Sequence, residues 1–143
     1  MSAPETLTVV VEREFPHPPD KLWRALTEPH LIAESLWEND FAPVVGRRFN
    51  IHVNPKPGPN MIVDCEVLEI EPNETLSYTW NLRGTAGGTA STVTFTLTPT
   101  GTGTRLRMEQ TGFSRDRPQN YGGARAGWTR FLANLDNVLV RME

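Results

Sequence analysis

A run of segments that alternate between apolar and polar residues, beginning after Gly46, constrains the fold of this chain more than any other feature. In "RRFNIHV", an extended strand places Phe49, Ile51 and Val53 on one face and polar side chains on the other. The same period of two recurs in "NETLSYTW", "STVTFTLTP" and "RLRMEQTGF". Strands of this kind are typical of a meandering antiparallel sheet that is wet on one side, and we predict such a sheet here.

One further segment, "MIVDCEVLEIEP", loses its alternation around Val67 and Leu68, which predicts a β-bulge. Asp64 and Glu66 precede the bulge and are expected on the wet face. Glu69 follows it and could point inward, where an unpaired charge would be costly. Candidate partners for a buried Glu69 are Arg47, Arg105 and Arg107. Solvated strand charges are the favoured interpretation of this acidic row.

The apolar side of the predicted sheet needs a cover, and the C-terminal segment can supply it. A helix from Pro118 to Met142 would span about 37 Å, which is long enough to cross the whole sheet. Its apolar residues recur at helical spacing and form one stripe. They are Ala124, Trp128, Phe131, Leu132, Leu135, Val138 and Leu139.

The N-terminal part of the chain predicts one strand and two short helices. The strand is the β-branched run Leu7–Phe15. A first helix can begin near Pro19, where a missing N–H costs little, and Pro29 separates it from a second helix that ends at Trp37. With 143 residues and no internal repeat, we expect residues 1–143 to form a single α+β domain with about six to seven strands.

Charge and hydropathy exclude several classes of protein. The chain has 14 basic and 17 acidic residues and a net charge of -3, so no nucleic-acid partner is expected. No apolar run approaches the roughly 18–20 residues of a membrane span, and the N-terminus lacks the pattern of a secretory signal. Cys65 has no second cysteine to pair with and is expected as a small buried strand residue. We therefore expect a cytoplasmic protein without a membrane partner.

Five segments, taken in order, resemble one family. They are "KLWRALTEPHLIAESLW", "GRRFNIHV", "VLEIEPNETLSYTW", "STVTFTLTPTGTGTRLRMEQTGF" and "GWTRFLANLDNVL". They are similar to single-domain proteins related to the activator of the 90-kDa heat-shock protein ATPase, within the START-like superfamily, also called SRPBCC or Bet v 1-like. The resemblance runs from about Leu7 to Leu139. It implies a helix-grip fold, in which a curved antiparallel sheet wraps round a long C-terminal helix, and a cavity between them for apolar molecules.

One position departs from that family. Many relatives carry a histidine on the last strand, in a pattern like L-x-L-x-H-x-G-F, and the segment Leu106–Phe113 has Gln110 at that place. Glutamine can donate and accept hydrogen bonds but cannot titrate. A relative that uses the histidine for proton transfer has no counterpart here, which argues against an enzyme. Glu69 and Tyr78 remain as weak catalytic candidates.

No cofactor is indicated by the sequence. His17, His30 and His52 lack the spacing that a zinc site favours. The glycine-rich "GTAGGTAST" precedes a strand, so it lacks the helix N-terminus that cradles phosphate. Ser35 and Ser114 lack the G-x-S-x-G context of a hydrolase nucleophile. We expect neither a metal nor a nucleotide.

Inward-facing aromatic residues are the best candidates for a binding site. Tyrosine and tryptophan each bring a polar atom that needs a partner when it is buried, and such groups among apolar walls are typical of a small-molecule site. For Trp37, Tyr78, Tyr121 and Trp128, plain core packing and cavity lining both stay open. The predicted cavity-lining residues are Trp37, Phe49, Tyr78, Trp80, Met108, Gln110, Tyr121 and Trp128.

The start of the last helix, "YGGARAG", is rich in glycine. Gly122, Gly123 and Gly127 each weaken a helix by about 1 kcal/mol relative to alanine. This softness could serve a gate to a cavity or allow close packing of the backbone against a strand. The gate is slightly favoured.

Three functions follow as hypotheses. We predict binding of a small apolar or aromatic molecule in a cavity between the sheet and the C-terminal helix. The resemblance also implies a chaperone co-factor acting on a 90-kDa heat-shock protein ATPase, which is disfavoured because the chain lacks the extra N-terminal domain of the eukaryotic activator. The third hypothesis is a cavity enzyme such as a cyclase or hydrolase. A homodimer stays open as an assembly state.

Overall fold

The computed structural model describes residues 6–54, 60–83, 91–114 and 118–142, with side chains at 8–54, 60–83, 91–112 and 123–142. The elements in chain order are β1 (Thr6–Phe15), α1 (Pro19–Thr27), α2 (Pro29–Ser35), β2 (Glu38–Asn39), β3 (Arg48–Val53), β4 (Met61–Glu71), β5 (Thr75–Leu82), β6 (Ser91–Pro99), β7 (Thr104–Ser114) and α3 (Pro118–Arg141). This order confirms the predicted succession of strand, two short helices, a series of strands and one long helix.

The described strands form one seven-stranded sheet in the order β1-β7-β6-β5-β4-β3-β2. From β2 to β7 each strand pairs antiparallel with its neighbour in sequence. β1 instead pairs with β7, from Thr6↔Ser114 to Phe15↔Thr104, so the first and last strands lie side by side. The result is a curved antiparallel sheet with a long helix against it, which is the predicted helix-grip fold.

The inner face of the sheet is apolar, as the alternation predicts. On β6, Val93, Phe95 and Leu97 are buried, and the threonines between them are half-buried or exposed. The same alternation on β3 buries Phe49 and Ile51. Side chains of a strand point to opposite faces in turn, so a strict period of two is enough to separate the core from the solvent.

α3 covers this inner face with its predicted apolar stripe. Leu135 and Leu139 are fully buried, whereas Val140 on the opposite side of the helix is 70% exposed. Two contacts join α3 to β1: Arg13 pairs with Asp136 at 3.2 Å, and Arg125 Nη1 donates to the carbonyl of Val10 at 3.2 Å. The helix is therefore anchored to one edge of the sheet as well as to its face.

The predicted bulge in β4 is confirmed, and it corrects one alternative for Glu69. The register between β4 and β5 shifts between Val67 and Glu69, which leaves Leu68 as the extra residue, 43% exposed. Without the bulge, Glu69 would have the same inward phase as Val67. The bulge turns Glu69 outward, where it is exposed, so the buried alternative was wrong.

The end of α2 and the short strand β2 differ from the sequence prediction. α2 ends at Ser35, not Trp37, because Leu36 leaves the helical region with φ -124 and ψ -92. β2 was not predicted, since two residues are too short for an alternation to be seen. The predicted loops "NPKPGPN" and "RGTAGGTA" lie mostly outside the described residues.

Candidate functional site

Aromatic rings gather on the inner face of the sheet under α3. The ring centroid of Tyr78 on β5 lies 5.1 Å from that of Phe49 on β3 and 6.0 Å from that of Phe95 on β6. Phe41, which follows β2, meets Phe49 edge-on at 5.1 Å. The three strand residues come together because each occupies an inward position on a neighbouring strand or the next but one.

Trp128 brings α3 into the same group of rings. Its centroid lies 5.2 Å from Trp80, 5.9 Å from Phe95 and 5.5 Å from Phe131. All three contacts are edge-to-face, the arrangement that the charge distribution of aromatic rings favours. We call the whole set the aromatic cluster: Phe41, Phe49, Tyr78, Trp80, Phe95, Trp128 and Phe131.

A chain of buried hydrogen bonds crosses the cluster from α3 to β5. The indole N–H of Trp128 donates to Gln110 Oε1 at 2.7 Å, and Gln110 Nε2 donates to Ser91 Oγ at 3.0 Å. The Ser91 hydroxyl donates to the carbonyl of Trp80 at 2.6 Å. Gln110 thus serves protein partners on both sides, and it fixes the orientation of Trp128.

The Tyr78 hydroxyl is in a different situation. Tyr78 is 5% exposed. Burial, with a smaller contribution from nearby Cys65, raises the pKa of its phenol well above the ordinary value, so the group stays protonated. Its ring contacts Phe41, Phe49 and Phe95. A phenol that stays protonated can donate a hydrogen bond to a bound molecule.

The Tyr78 phenol and the adjacent Cys65 thiol are titratable groups in or beside the aromatic cluster. Burial also raises the pKa of the Cys65 thiol far above its ordinary value, so the thiol is a poor nucleophile. The cluster therefore offers apolar ring faces and the neutral hydrogen-bonding groups of Tyr78 and Gln110. Neither of these two groups changes its charge in neutral water.

The structure brings together five of the predicted lining residues: Phe49, Tyr78, Trp80, Gln110 and Trp128. Met108 adjoins them from β7, where it is fully buried opposite Phe95. Trp37 is half-buried and packs against the core near the end of α2. The side chain of Tyr121 lies outside the described part of the chain. That these residues line a cavity stays a prediction.

Two members of the site were missed in the sequence. Ser91 has the same period-two phase as Val93 on β6, and this signal could have placed it on the inner face. Phe41 follows the short strand β2, and no local pattern marks it as buried, yet it is 4% exposed.

The glycines at the start of α3 are not explained by close packing. A Cβ atom added to Gly123 or Gly127 would meet nothing within 4 Å. Both glycines are exposed. Of the two alternatives for this glycine-rich turn, backbone approach to a strand is therefore not supported at these two positions, and local softness of the helix remains.

The described histidines lie apart from one another. His17 follows β1, where its Nδ1 lies 3.2 Å from Lys21 Nζ, whereas His52 pairs with Glu38 in the register of β2 and β3. In the described ranges, no three His, Cys, Asp or Glu side chains are grouped so that they could hold a metal ion. No helix described there is both long and apolar enough to cross a membrane.

A curved antiparallel sheet gripping one long helix, with an aromatic interior between them, defines the SRPBCC or Bet v 1-like class of proteins. The chain belongs to the family described as activator of Hsp90 ATPase homolog 1-like protein, which matches residues 16–140. The resemblance seen in the sequence is thereby confirmed. No protein with a curated description matches this chain.

Solved structures similar to this chain share its fold. Protein MLL2253 from Mesorhizobium loti is 57% identical, with a TM-score of 0.87 over 96% of this chain and 99% of that one. Protein CV1439 from Chromobacterium violaceum is 23% identical, with a TM-score of 0.81 over 92% and 96% of the two chains, and shows the fold alone. DynU16, described as a protein in the dynemicin biosynthetic locus, is 26% identical, with a TM-score of 0.79 over 94% of this chain and 47% of DynU16.

Proposed function

We propose that this protein binds a small apolar or aromatic molecule between the inner face of the sheet and α3. The observation that carries the proposal is the aromatic cluster, in which the buried, protonated phenol of Tyr78 lies close to the rings of Phe49 and Phe95. A ligand with a carbonyl, ether or hydroxyl oxygen could accept a hydrogen bond from the Tyr78 hydroxyl.

The other interior polar groups would leave Tyr78 as the polar anchor of the ligand. Gln110, Ser91 and Trp128 already bond to one another or to the backbone. Their bonds hold the indole of Trp128 in place, so a flat ligand could pack against a fixed ring. Apolar walls with a small number of fixed polar groups are the usual composition of a small-molecule site.

The start of α3 is the proposed route into the interior. Gly123 and Gly127 are exposed there, and Ala124 between them is half-buried. Glycine lowers the free energy needed to unwind a helical turn. Local opening of this turn would uncover Trp128 without disturbing the buried Leu135 and Leu139 further along α3.

The family context supports a small organic ligand. Proteins of the SRPBCC class often bind apolar molecules in the space between sheet and helix. DynU16 is described by its place in the dynemicin biosynthetic locus, and this likeness favours a small organic ligand for this chain. For this chain the ligand class remains a proposal that rests on Tyr78 and its surrounding rings.

Tryptophan fluorescence can test the proposal, because Trp80 and Trp128 both belong to the aromatic cluster. The probes are 9-fluorenone and fluorene, which have the same flat shape but differ in the carbonyl oxygen. We expect saturable quenching by fluorenone. Tyr78→Phe should weaken fluorenone binding about 3–10-fold, since it removes one hydrogen bond, and should leave fluorene binding unchanged.

Val140→Ala, on the exposed side of α3, is the matched control and should bind both probes as the wild type does. If neither probe gives saturable quenching, the interior does not accept flat aromatic molecules and the proposal fails. Equal loss of fluorenone and fluorene in Tyr78→Phe would also reject the role of the hydroxyl as an anchor.

A further inference from the structure

A concavity lies on the outer face of the sheet, across β3, β4 and β5, opposite to the aromatic cluster. Its volume is about 480 Å³, within the range of small-molecule sites. Two rows of side chains cross the three strands and line it; we call it the outer groove. The first row is Asn50, Asp64 and Asn81, and the second is Arg48, Glu66 and Thr79.

The sheet is irregular under the outer groove. The register between β4 and β5 has a gap between Asp64 and Val67. In this gap the N–H of Glu66 donates to the Thr79 hydroxyl at 2.8 Å. A side-chain oxygen thus takes the place of a backbone acceptor, which ties both Glu66 and Thr79 to the floor of the groove.

The two carboxylates of the outer groove are held very differently. Asp64 accepts two bonds from Arg83, at 3.0 and 2.5 Å, and a third from Asn50 Nδ2 at 2.7 Å. The bonds from Arg83 are the main cause of a lowered pKa for Asp64, so this carboxylate is charged and fully engaged. Arg83 is therefore occupied as well.

Glu66 has a much looser partner. Its Oε1 lies 3.5 Å from Arg48 Nε, and the Arg48 side chain is 88% exposed. An exposed ion pair of this kind contributes little, because solvent screens it and the long arginine side chain loses freedom in forming it. Arg48 can swing away at small cost, which leaves the Glu66 carboxylate available to a cationic ligand.

Asn81 supplies a second acceptor. Its Oδ1 is buried and has no hydrogen-bond partner in the described part of the chain, and Asn81 pairs with Asp64 in the register. An unpaired buried acceptor is unfavourable. Asn81 lines the outer groove, and χ2 of asparagine is a soft torsion, so a small rotation of the amide could present this oxygen to a ligand. A ligand N–H in the groove would satisfy it.

We propose that the outer groove binds a small polar molecule that carries a primary ammonium group. Glu66 would pair with the positive charge, and Asn81 would accept one of the ammonium N–H bonds. Asp64 stays with Arg83, and Asn50 and Thr79 line the space for the polar body of the ligand. This site lies on the face of the sheet opposite to Tyr78 and does not depend on the interior site.

Amide chemical shifts of ¹⁵N-labelled protein can test this proposal at low salt. The probe is 1,4-diaminobutane, and 1,4-butanediol is its uncharged counterpart of similar size. We expect saturable shifts at residues 48–50, 64–66 and 79–81 with the diamine. Glu66→Gln and Asn81→Ala should each weaken diamine binding at least about fivefold, and butanediol should bind much more weakly than the diamine.

Glu109→Gln is the matched control, because Glu109 also lies on the outer face of the sheet in an ion pair, with Arg107, but outside the outer groove. It should bind the diamine as the wild type does. The proposal fails if butanediol binds as tightly as the diamine, if Glu66→Gln is without effect, or if Glu109→Gln weakens binding equally. Tyr78→Phe should not alter diamine binding, so the two proposals can fail separately.

Discussion

At the scale of the residue, Gln110 joins two elements of the interior. It links Trp128 on α3 to Ser91 on β6 through bonds of 2.7 and 3.0 Å. Gln110→Met keeps the length of the side chain and removes both bonds. The Trp128 N–H would be left unpaired in the core, and we expect a loss of about 1–3 kcal/mol in the free energy of unfolding, measured with urea.

A double-mutant cycle identifies the bond responsible. In a Trp128→Phe background the indole N–H is already absent, so Gln110→Met should cost less there than in the wild type. Equal costs in both backgrounds would show that the Gln110–Trp128 bond contributes nothing of its own. Gln110→His can still offer a ring nitrogen to the indole, and it should retain more stability than Gln110→Met.

The individual residues of the interior site were only partly predictable from sequence. Alternation placed Tyr78 and Gln110 on the inner face, since the phase of a strand is a local property. The hydrogen-bond partners of Gln110 were not predictable. The partners lie on β6 and α3, and Ser91 is 19 positions away in the sequence, so no local pattern signals the bond.

At the scale of the element, α3 divides into two parts with different roles. Its second half is core cover, and Leu135 there is fully buried. Leu135→Ala should lower the free energy of unfolding by about 2–5 kcal/mol, because it removes buried methyl groups and leaves a cavity. Val140→Ala, one turn along on the exposed side, should change it by less than about 0.5 kcal/mol, as surface substitutions usually do.

Urea unfolding of both variants gives the comparison directly. If Leu135→Ala lowers the free energy of unfolding no more than Val140→Ala does, the second half of α3 does not stabilise the core. The first half of α3 is expected to behave differently. There the exposed Gly123 and Gly127 should allow faster amide exchange than the second half shows, since local unwinding needs less free energy.

β4 shows where prediction of an element from sequence succeeds and where it stops. The break in alternation at Val67 and Leu68 located the bulge correctly. The break did not determine which face of the sheet Glu69 is on. That depends on how many residues of β4 have no partner on β5, and the sequence does not give this number. The outer groove was also not predictable, because it depends on how β3, β4 and β5 pair with one another, and no single segment of the sequence specifies this pairing.

At the scale of the whole molecule, one sheet separates two unlike environments. The inner face holds the aromatic cluster and the Tyr78 hydroxyl, whereas the outer face holds the charged rows of the outer groove. A period of two makes this separation, since neighbouring residues such as Thr79 and Trp80 point to opposite sides. The proposed apolar ligand and the proposed ammonium ligand would therefore bind to opposite faces of the sheet and would not compete.

The stability of the molecule should fall in two separate steps as the pH is lowered. His17 is half-buried, and burial and the charge of Lys21 lower its pKa from the ordinary 6.5, against a smaller opposing effect of Asp136. Below pH 6.5 the unfolded chain therefore binds a proton that the folded chain resists, and stability decreases. The lowered pKa of Asp64 acts in a lower window: its contribution is complete above 3.8 and is lost as the pH falls through the folded value.

The upper step can be assigned by measuring the free energy of unfolding between about pH 7.5 and pH 5. His17→Asn removes the titrating ring, so its stability should depend less on pH in this range than that of the wild type. Lys21→Met should also flatten the dependence, because it removes one cause of the lowered pKa. His30→Asn is the control, since the His30 side chain is 73% exposed and should leave the step intact. A step that survives in His17→Asn and disappears in His30→Asn would contradict the assignment to the His17 and Lys21 pair.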